Sequence, residues 1–177
     1  ALIGLVVGSI PAAMNFVMNP ILSTTSDRTR TKWGRRIPYL AFATPFVALF
    51  LVLLGWTPEA AALLHATVLP GVSPATLGIV LVCVFAVFFQ FFNLIIGSIY
   101  YYIFADVIPH RFIGRFMAFL NLSFTAAGFV FNYFLMEYAR EYSSWIYTGI
   151  GILYAVSFAL MCFFVKEGEY PPPPQYQ

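Results

Sequence analysis

The fifteen residues 26–40 (SDRTRTKWGRRIPYL) carry five of the chain's nine basic side chains, and the stretches on either side, 1–26 and 37–58, contain no charge at all. At about 1.5 Å per helical residue, each uncharged stretch is long enough to cross a hydrocarbon layer of roughly 30 Å. The basic segment is therefore expected to be a short loop between two membrane helices. Lys and Arg resist translocation, so this loop is expected on the cytoplasmic side. Composition agrees: 61% of the residues are hydrophobic and 9% charged, against about 25% charged in a soluble domain. The formal net charge of +2 is small and clustered, which gives no sign of a nucleic-acid partner. Cys83 and Cys162 lie singly in apolar runs and form neither a ligand spacing nor a disulfide framework.

Charge placement predicts five spans, at 1–25, 38–56, 77–105, 116–136 and 145–165, in an all-α polytopic transmembrane bundle over residues 1–166. The loop 106–115 (DVIPHRFIGR) holds His110, Arg111 and Arg115 and falls on the same side as the first basic loop. The connection 57–76 holds only Glu59, and Glu137, Arg140 and Glu141 join the last two spans without a basic excess, so both are expected outside. Residues 60–68 are expected to form a short interfacial helix. Residues 167–177 (EGEYPPPPQYQ) cannot continue a helix and are expected to run extended as a cytoplasmic linker or tail. The chain opens inside an apolar run with no basic leader. This leads to the expectation that an earlier helix precedes it, as in a six-helix half without its first helix.

None of the five spans contains Asp, Glu, Lys, Arg or His, so no buried charge serves as a proton relay there. Amides and hydroxyls instead repeat on helical stripes: Asn15 and Asn19 with Ala12 and Ser23; Gln90, Asn93, Gly97 and Tyr101; and Ala118, Asn121, Thr125, Gly128 and Asn132. A polar stripe facing lipid would leave its groups unsatisfied, so these stripes should face the bundle interior or a wet cavity. Two readings stand side by side. Small and amide residues let helices approach and bond across the gap, worth roughly 0.6–2 kcal/mol each, and Thr125 with Gly128 fits that role. Neutral amides and aromatic faces also suit hydroxyl-rich rings, and the candidate substrate-binding residues are Asn15, Asn19, Gln90, Asn93, Tyr101 and Asn121. Of Tyr100, Tyr101 and Tyr102, at most two can share a face at about 100° per residue. His65 and His110 are expected on opposite sides of the membrane, and no nucleophile, acid–base pair or metal cluster accompanies them, so the chain does not read as an enzyme.

Asp27, Arg28, Gly34, Arg35 and Arg36, with Trp33 and Pro38 beside them, resemble the loop between helices two and three of the major facilitator superfamily. The match is to the expanded form typical of glycoside-pentoside-hexuronide:cation symporters. Residues 105–115 (ADVIPHRFIGR) resemble the helix four to five loop of the same superfamily, where an acid, a proline and a basic-glycine pair recur. The resemblance implies an N-terminal half fragment, helices two to six, of a secondary active or facilitative transporter. Its cargo would be a sugar or glycoside, and its setting a plasma or inner membrane, with the C-terminus cytoplasmic. The lipid bilayer, the first helix and the C-terminal half would be its partners. It also implies that Asp27, Arg28, Gly34, Arg35, Arg36, Asp106, Arg111 and Arg115 act as a gating latch. The residues alone permit a blander reading, in which the positive charges only set topology. Where the superfamily loop has Gly four residues before the acid, Ser23 stands here.

The residues demand no cofactor. Cation-coupled members of the resembling family carry acids at the positions of Asn15, Asn19 and Asn93. An amide can ligate Na+ through its carbonyl oxygen but supplies no charge and exchanges no proton, which leaves Na+ or H+ coupling open. A non-transporting membrane sensor or assembly subunit on the same fold is the alternative.

Overall fold

The computed structural model describes residues 8–29, 31 and 33–165. Its helices are α1 (Ile10–Arg28), α2 (Ile37–Gly55), α3 (Thr57–Thr67), α4 (Pro74–Val107), α5 (Ile113–Val130) and α6 (Ser143–Phe164). Among the described residues there is no strand, only an isolated antiparallel bridge between Thr31 and Gly34. A 3-10 turn at His110–Phe112 leads into α5, and a π-helical turn at Phe131–Leu135 extends it.

Local chemistry sets the ends. Prolines occupy the first turn of α1, α2, α3 and α4, where the absent N–H would have had no intrahelical partner. The Ser73 hydroxyl accepts the Thr76 N–H and starts α4. Pro109 follows Ile108, which is extended at φ −93° and ψ 123°, because the proline ring disfavours helical backbone in the residue before it. At 34 residues, α4 is about 51 Å long. It therefore outreaches a hydrocarbon layer of roughly 30 Å and carries Asp106 to the level of the basic loop.

Four helices are long and apolar enough to cross a membrane: Ile37–Gly55, Pro74–Phe104, His110–Leu135 and Ser143–Phe164. The spans expected at 38–56, 77–105, 116–136 and 145–165 overlie these four helices, whose ends differ from them by one to six residues. The first expected span begins in residues outside the described set. Its described part includes α1, which runs on through Pro20, although the proline removes one backbone hydrogen bond from the helix. The short helix expected at 60–68 is α3, at Thr57–Thr67. The Pro-rich segment 167–177 lies outside the described residues.

Helix α4 is the centre of the packing and meets α1, α2 and α3, while α2 also packs along α6. The core between α1, α2 and α4 is aliphatic: Leu22, Leu40, Ala43, Val47, Ile95, Ile96, Ile99 and Ile103. Stacked rings extend it, with Phe46 on Phe92 at 4.7 Å and Phe50 on Phe88 at 5.1 Å. Lipid offers no hydrophobic drive for helix association, so α2 and α6 depend on close approach and hydrogen bonds. The Ser144 hydroxyl donates to the Gly55 carbonyl at 2.8 Å, and Trp56 Nε1 donates to Thr148 Oγ1 at 3.0 Å.

Gly55 is required by that approach, since a Cβ built on it would stand 2.5 Å from the Cβ of Tyr147. Gly55→Ala is expected to destabilise the bundle by about 2 kcal/mol, the usual scale of overpacking. Gly97→Ala, with nothing within 4 Å of the added carbon, should leave stability unchanged. Thermal unfolding in detergent compares the two, and equal midpoints would refute the tight seam.

Helix α5 is built differently and buries none of its residues. Its basic end meets α4 through Phe116 and Phe104, whose rings are 4.7 Å apart. Along its length Phe119, Leu122, Phe124 and Phe129 are exposed.

Candidate functional site

The asparagines of α1 and the polar stripe of α4 meet in a cavity of 440 Å³, within the roughly 300–1,000 Å³ usual for small-molecule sites. Asn15 and Asn19 line one wall, a helical turn apart. Gln90, Asn93, Gly97, Ser98, Tyr101 and Tyr102 line the other, with Pro11 and Leu94 completing it. Gln90, Asn93, Gly97 and Tyr101 follow at intervals of three or four residues, and Leu94, Ser98 and Tyr102 at intervals of four on the adjoining row, which keeps both rows on one helical face. Five of the six residues anticipated from sequence as substrate ligands thus share one cavity. Asn121 does not line it: this residue is exposed on α5, and its backbone carbonyl accepts the Thr125 hydroxyl.

The amides are partly engaged with one another. Asn19 donates through Nδ2 to Asn15 Oδ1 and accepts at Oδ1 from the Ser98 hydroxyl at 2.6 Å. The Tyr154 hydroxyl of α6 donates to Asn93 Oδ1 at 3.4 Å. These bonds tie α1 to α4 and α4 to α6, and they hold the amide planes in place. Among the described residues the cavity wall holds no carboxylate, imidazole or basic side chain; apart from phenol hydroxyls, its polar groups are neutral amides and a hydroxyl. An amide offers two donors and two acceptor lone pairs, and a sugar hydroxyl is both donor and acceptor, so the two sets match without burial of a charge.

Tyr101 is half exposed and Tyr102 lies beside it on the wall, whereas Tyr100 turns away and packs on Phe104 at 4.1 Å. Two of the three consecutive tyrosines share a face, the most that helical geometry allows.

The second constellation lies at the basic end. The chain reverses there because Gly34 has φ 110°, a left-handed backbone that costs a residue with a Cβ roughly 1–2 kcal/mol. The turn is closed by the Thr31 and Gly34 backbone bonds, at 3.1 and 3.2 Å, and by the Thr31 hydroxyl on the Gly34 carbonyl at 2.6 Å. It delivers Arg35 and Arg36 between the ends of α1 and α4. Arg35 reaches Asp106 at 2.7 Å and Asp27 at 3.3 Å, and Arg36 reaches Asp106 at 2.9 Å and Asp27 at 3.2 Å. Each arginine bridges both aspartates, so among the described residues the basic turn joins the end of α1 to the end of α4 through one cluster of ion pairs. Such paired guanidinium–carboxylate contacts are among the stronger polar interactions. The Arg36 and Arg35 side chains are 8% and 14% exposed, Asp106 is 17% exposed, and Asp27 is half exposed.

The partners of Asp27 therefore include arginines of its own loop, within this bundle. Arg28, Arg111 and Arg115 form no ion pair with a carboxylate among the described residues; all three are exposed, and the Arg111 guanidinium lies over the Phe112 ring at 4.6 Å. Of the eight residues assigned to a latch from sequence, four are brought into mutual contact and Gly34 shapes the turn that brings them there. His65 is taken up by the backbone, its Nδ1 lying 2.8 Å from the Val72 carbonyl.

Ser98, Tyr102 and Tyr154 are absent from the sequence candidates. Ser98 and Tyr102 were in reach, since both continue the α4 stripe from Leu94 at intervals of four. Tyr154 had no local signal, because its role depends on how α6 lies against α4. A larger groove of 730 Å³ between α2 and α6 is mainly apolar, with Ile37, Ala41, Pro45, Phe158 and Cys162 among its walls. It holds none of the candidate substrate ligands.

A family profile described as MFS/sugar transport protein matches residues 1–175. No curated protein and no solved structure matches the chain. With a profile that spans nearly every residue, an all-helical fold and four membrane-length apolar helices, the chain belongs to the MFS/sugar transport protein family and is a multi-pass integral membrane protein of the major facilitator kind.

Proposed function

We propose that the cavity between α1 and α4 binds a sugar or glycoside, and that the protein moves it across the plasma or inner membrane by alternating access. The observation that carries this reading is the convergence of Asn15, Asn19, Gln90, Asn93 and Tyr101 on one cavity whose described lining carries no charged side chain. Neutral amides orient a hydroxyl-rich ring through directional bonds, and the tyrosine rings offer its C–H faces an apolar surface. The same neutrality favours a carrier whose transport step at this site exchanges no proton. In this reading the Asp27–Arg35–Arg36–Asp106 cluster is a latch on the cytoplasmic face, where the C-terminus also lies. Its pairs hold the inner ends of α1 and α4 together while the cavity is open to the outside, and they must part for inward release.

Counterflow of radiolabelled glycosides and pentosides into proteoliposomes of the full-length protein tests the proposal. Saturable exchange that persists without Na+ or a pH gradient is the expected result. The absence of exchange for every sugar, in protein shown to be folded, would overturn it. Sidedness has its own check: a thiol introduced by Thr31→Cys, with Cys83 and Cys162 replaced, should resist impermeant reagents added outside intact cells.

A further inference from the structure

Tyr102 belongs to both constellations. Its side chain lines the polar cavity beside Ser98 and Tyr101, and its ring lies beneath the Arg36 guanidinium, 5.1 Å from the charge centre. Arg36 is the more buried of the two bridging arginines and holds Asp27 and Asp106 together. A continuous path of contacts thus runs from the cavity through one aromatic ring to the ion pairs that join the ends of α1 and α4.

We propose that Tyr102 is a positioning residue that couples occupancy of the cavity to closure of the inner latch. This inference rests on the cavity and latch roles given above and deepens them. A cation over a ring is attracted to the face of the π-system, most strongly where water is excluded, and Arg36 is almost fully withdrawn from water. The ring therefore helps to fix where the guanidinium sits, and the guanidinium fixes the ring. A sugar packed against Tyr102 or bonded to its hydroxyl restrains the ring in the orientation that the closed latch requires. A ligand that prefers one of two states shifts the balance toward it by its difference in affinity, and the coupling works equally in both directions. The hydroxyl is not needed for the contact with Arg36, whereas the ring is. Phe should therefore preserve the link between latch and cavity wall, and an aliphatic side chain should break it.

Ser26 provides a reporter, because it is fully buried at the inner end of α1, next to Asp27. In full-length protein lacking Cys83 and Cys162, a thiol at this position from Ser26→Cys reacts with N-ethylmaleimide only when the latch opens. Tyr102→Leu should raise its labelling rate by about tenfold, the scale of a desolvated cation–π contact, and Tyr102→Phe should leave the rate near that of the parent. In an Asp106→Asn background, where the latch is already weakened, Tyr102→Leu should add less than twofold.

A second reporter reads the path in reverse. Gly97 lines the cavity with open space for a side chain. Asp106→Asn should change the labelling of a Gly97→Cys thiol when Tyr102 is present and fail to do so with Tyr102→Leu. Should the Leu variant not accumulate, Tyr102→Met removes the ring in the same way. If Asp106→Asn exposes position 26 and Tyr102→Leu does not, the coupling is refuted and the latch stands. If neither substitution exposes it, the latch reading falls and takes this inference with it.

Discussion

Asp106→Asn is expected to lower the initial rate of sugar uptake at least tenfold, with surface expression unchanged. The carboxylate receives both Arg35 and Arg36, at 2.7 and 2.9 Å, and the side chain is 17% exposed. Removal of one partner from a buried ion pair is destabilising by about 3–5 kcal/mol when burial is complete. Here the arginines keep Asp27, so a loss of about 1.5–3 kcal/mol from the latched state is the fitting scale, and each 1.4 kcal/mol is a factor of ten. The population then shifts away from the state that accepts substrate from outside. Asp27→Asn should have a smaller effect, because its carboxylate is half exposed and water screens its pairs. Arg28→Ala should be near neutral for uptake, since Arg28 joins no ion pair among the described residues. Uptake normalised to surface protein checks the ranking. Unimpaired transport in the Asp106 variant would leave the loop with topology as its only role.

Asn93→Leu and Asn19→Leu are each expected to reduce kcat/KM for the transported sugar by roughly ten- to hundredfold. A site shaped to hydrogen-bond a hydroxyl discriminates strongly when the bond is lost, because the buried partner is left unpaired. Asn19 has the further task of accepting Ser98 and bonding Asn15, so its loss also loosens the seam between α1 and α4. Asn121→Leu is the control for placement. It carries the same residue type on a similar stripe, but it is exposed on α5 and outside the cavity, and its uptake should stay within about twofold of the parent, the range of ordinary surface substitutions. The same variants address ion coupling. Strong Na+ stimulation that disappears with Asn93→Leu would mean that the amide ligates a cation, and the neutral-sugar role of Asn93 would have to be withdrawn.

The contrast between Asn93 and Asn121 shows how far a periodic pattern carries. Helical spacing says which residues share a face, and it did so correctly for Asn15 with Asn19 and for Gln90, Asn93, Gly97 and Tyr101. It says nothing about what that face meets. The face of α4 meets α1, while α5 buries none of its residues. The basic loop divides in the same way. Five positive charges in fifteen residues mark it as a turn between two membrane helices. Only the reversal at Gly34 and the overlength of α4 select Arg35 and Arg36, and leave out Arg28, as partners of Asp27 and Asp106.

Local chemistry written in the chain determined the class: uncharged runs of membrane length, helix-opening prolines, a glycine turn and charge asymmetry act over a few residues and need no distant partner. Tertiary packing decided everything that depends on distance between helices, from the amide-lined cavity to the contacts of Arg35 and Arg36 with Asp27 and Asp106 and the tyrosine shared between them. The reason is physical. In a bilayer the apolar surfaces of all helices are equally compatible with lipid, so hydrophobicity commits a segment to the membrane without choosing its neighbour. That choice is left to shape and to the few polar groups that find partners.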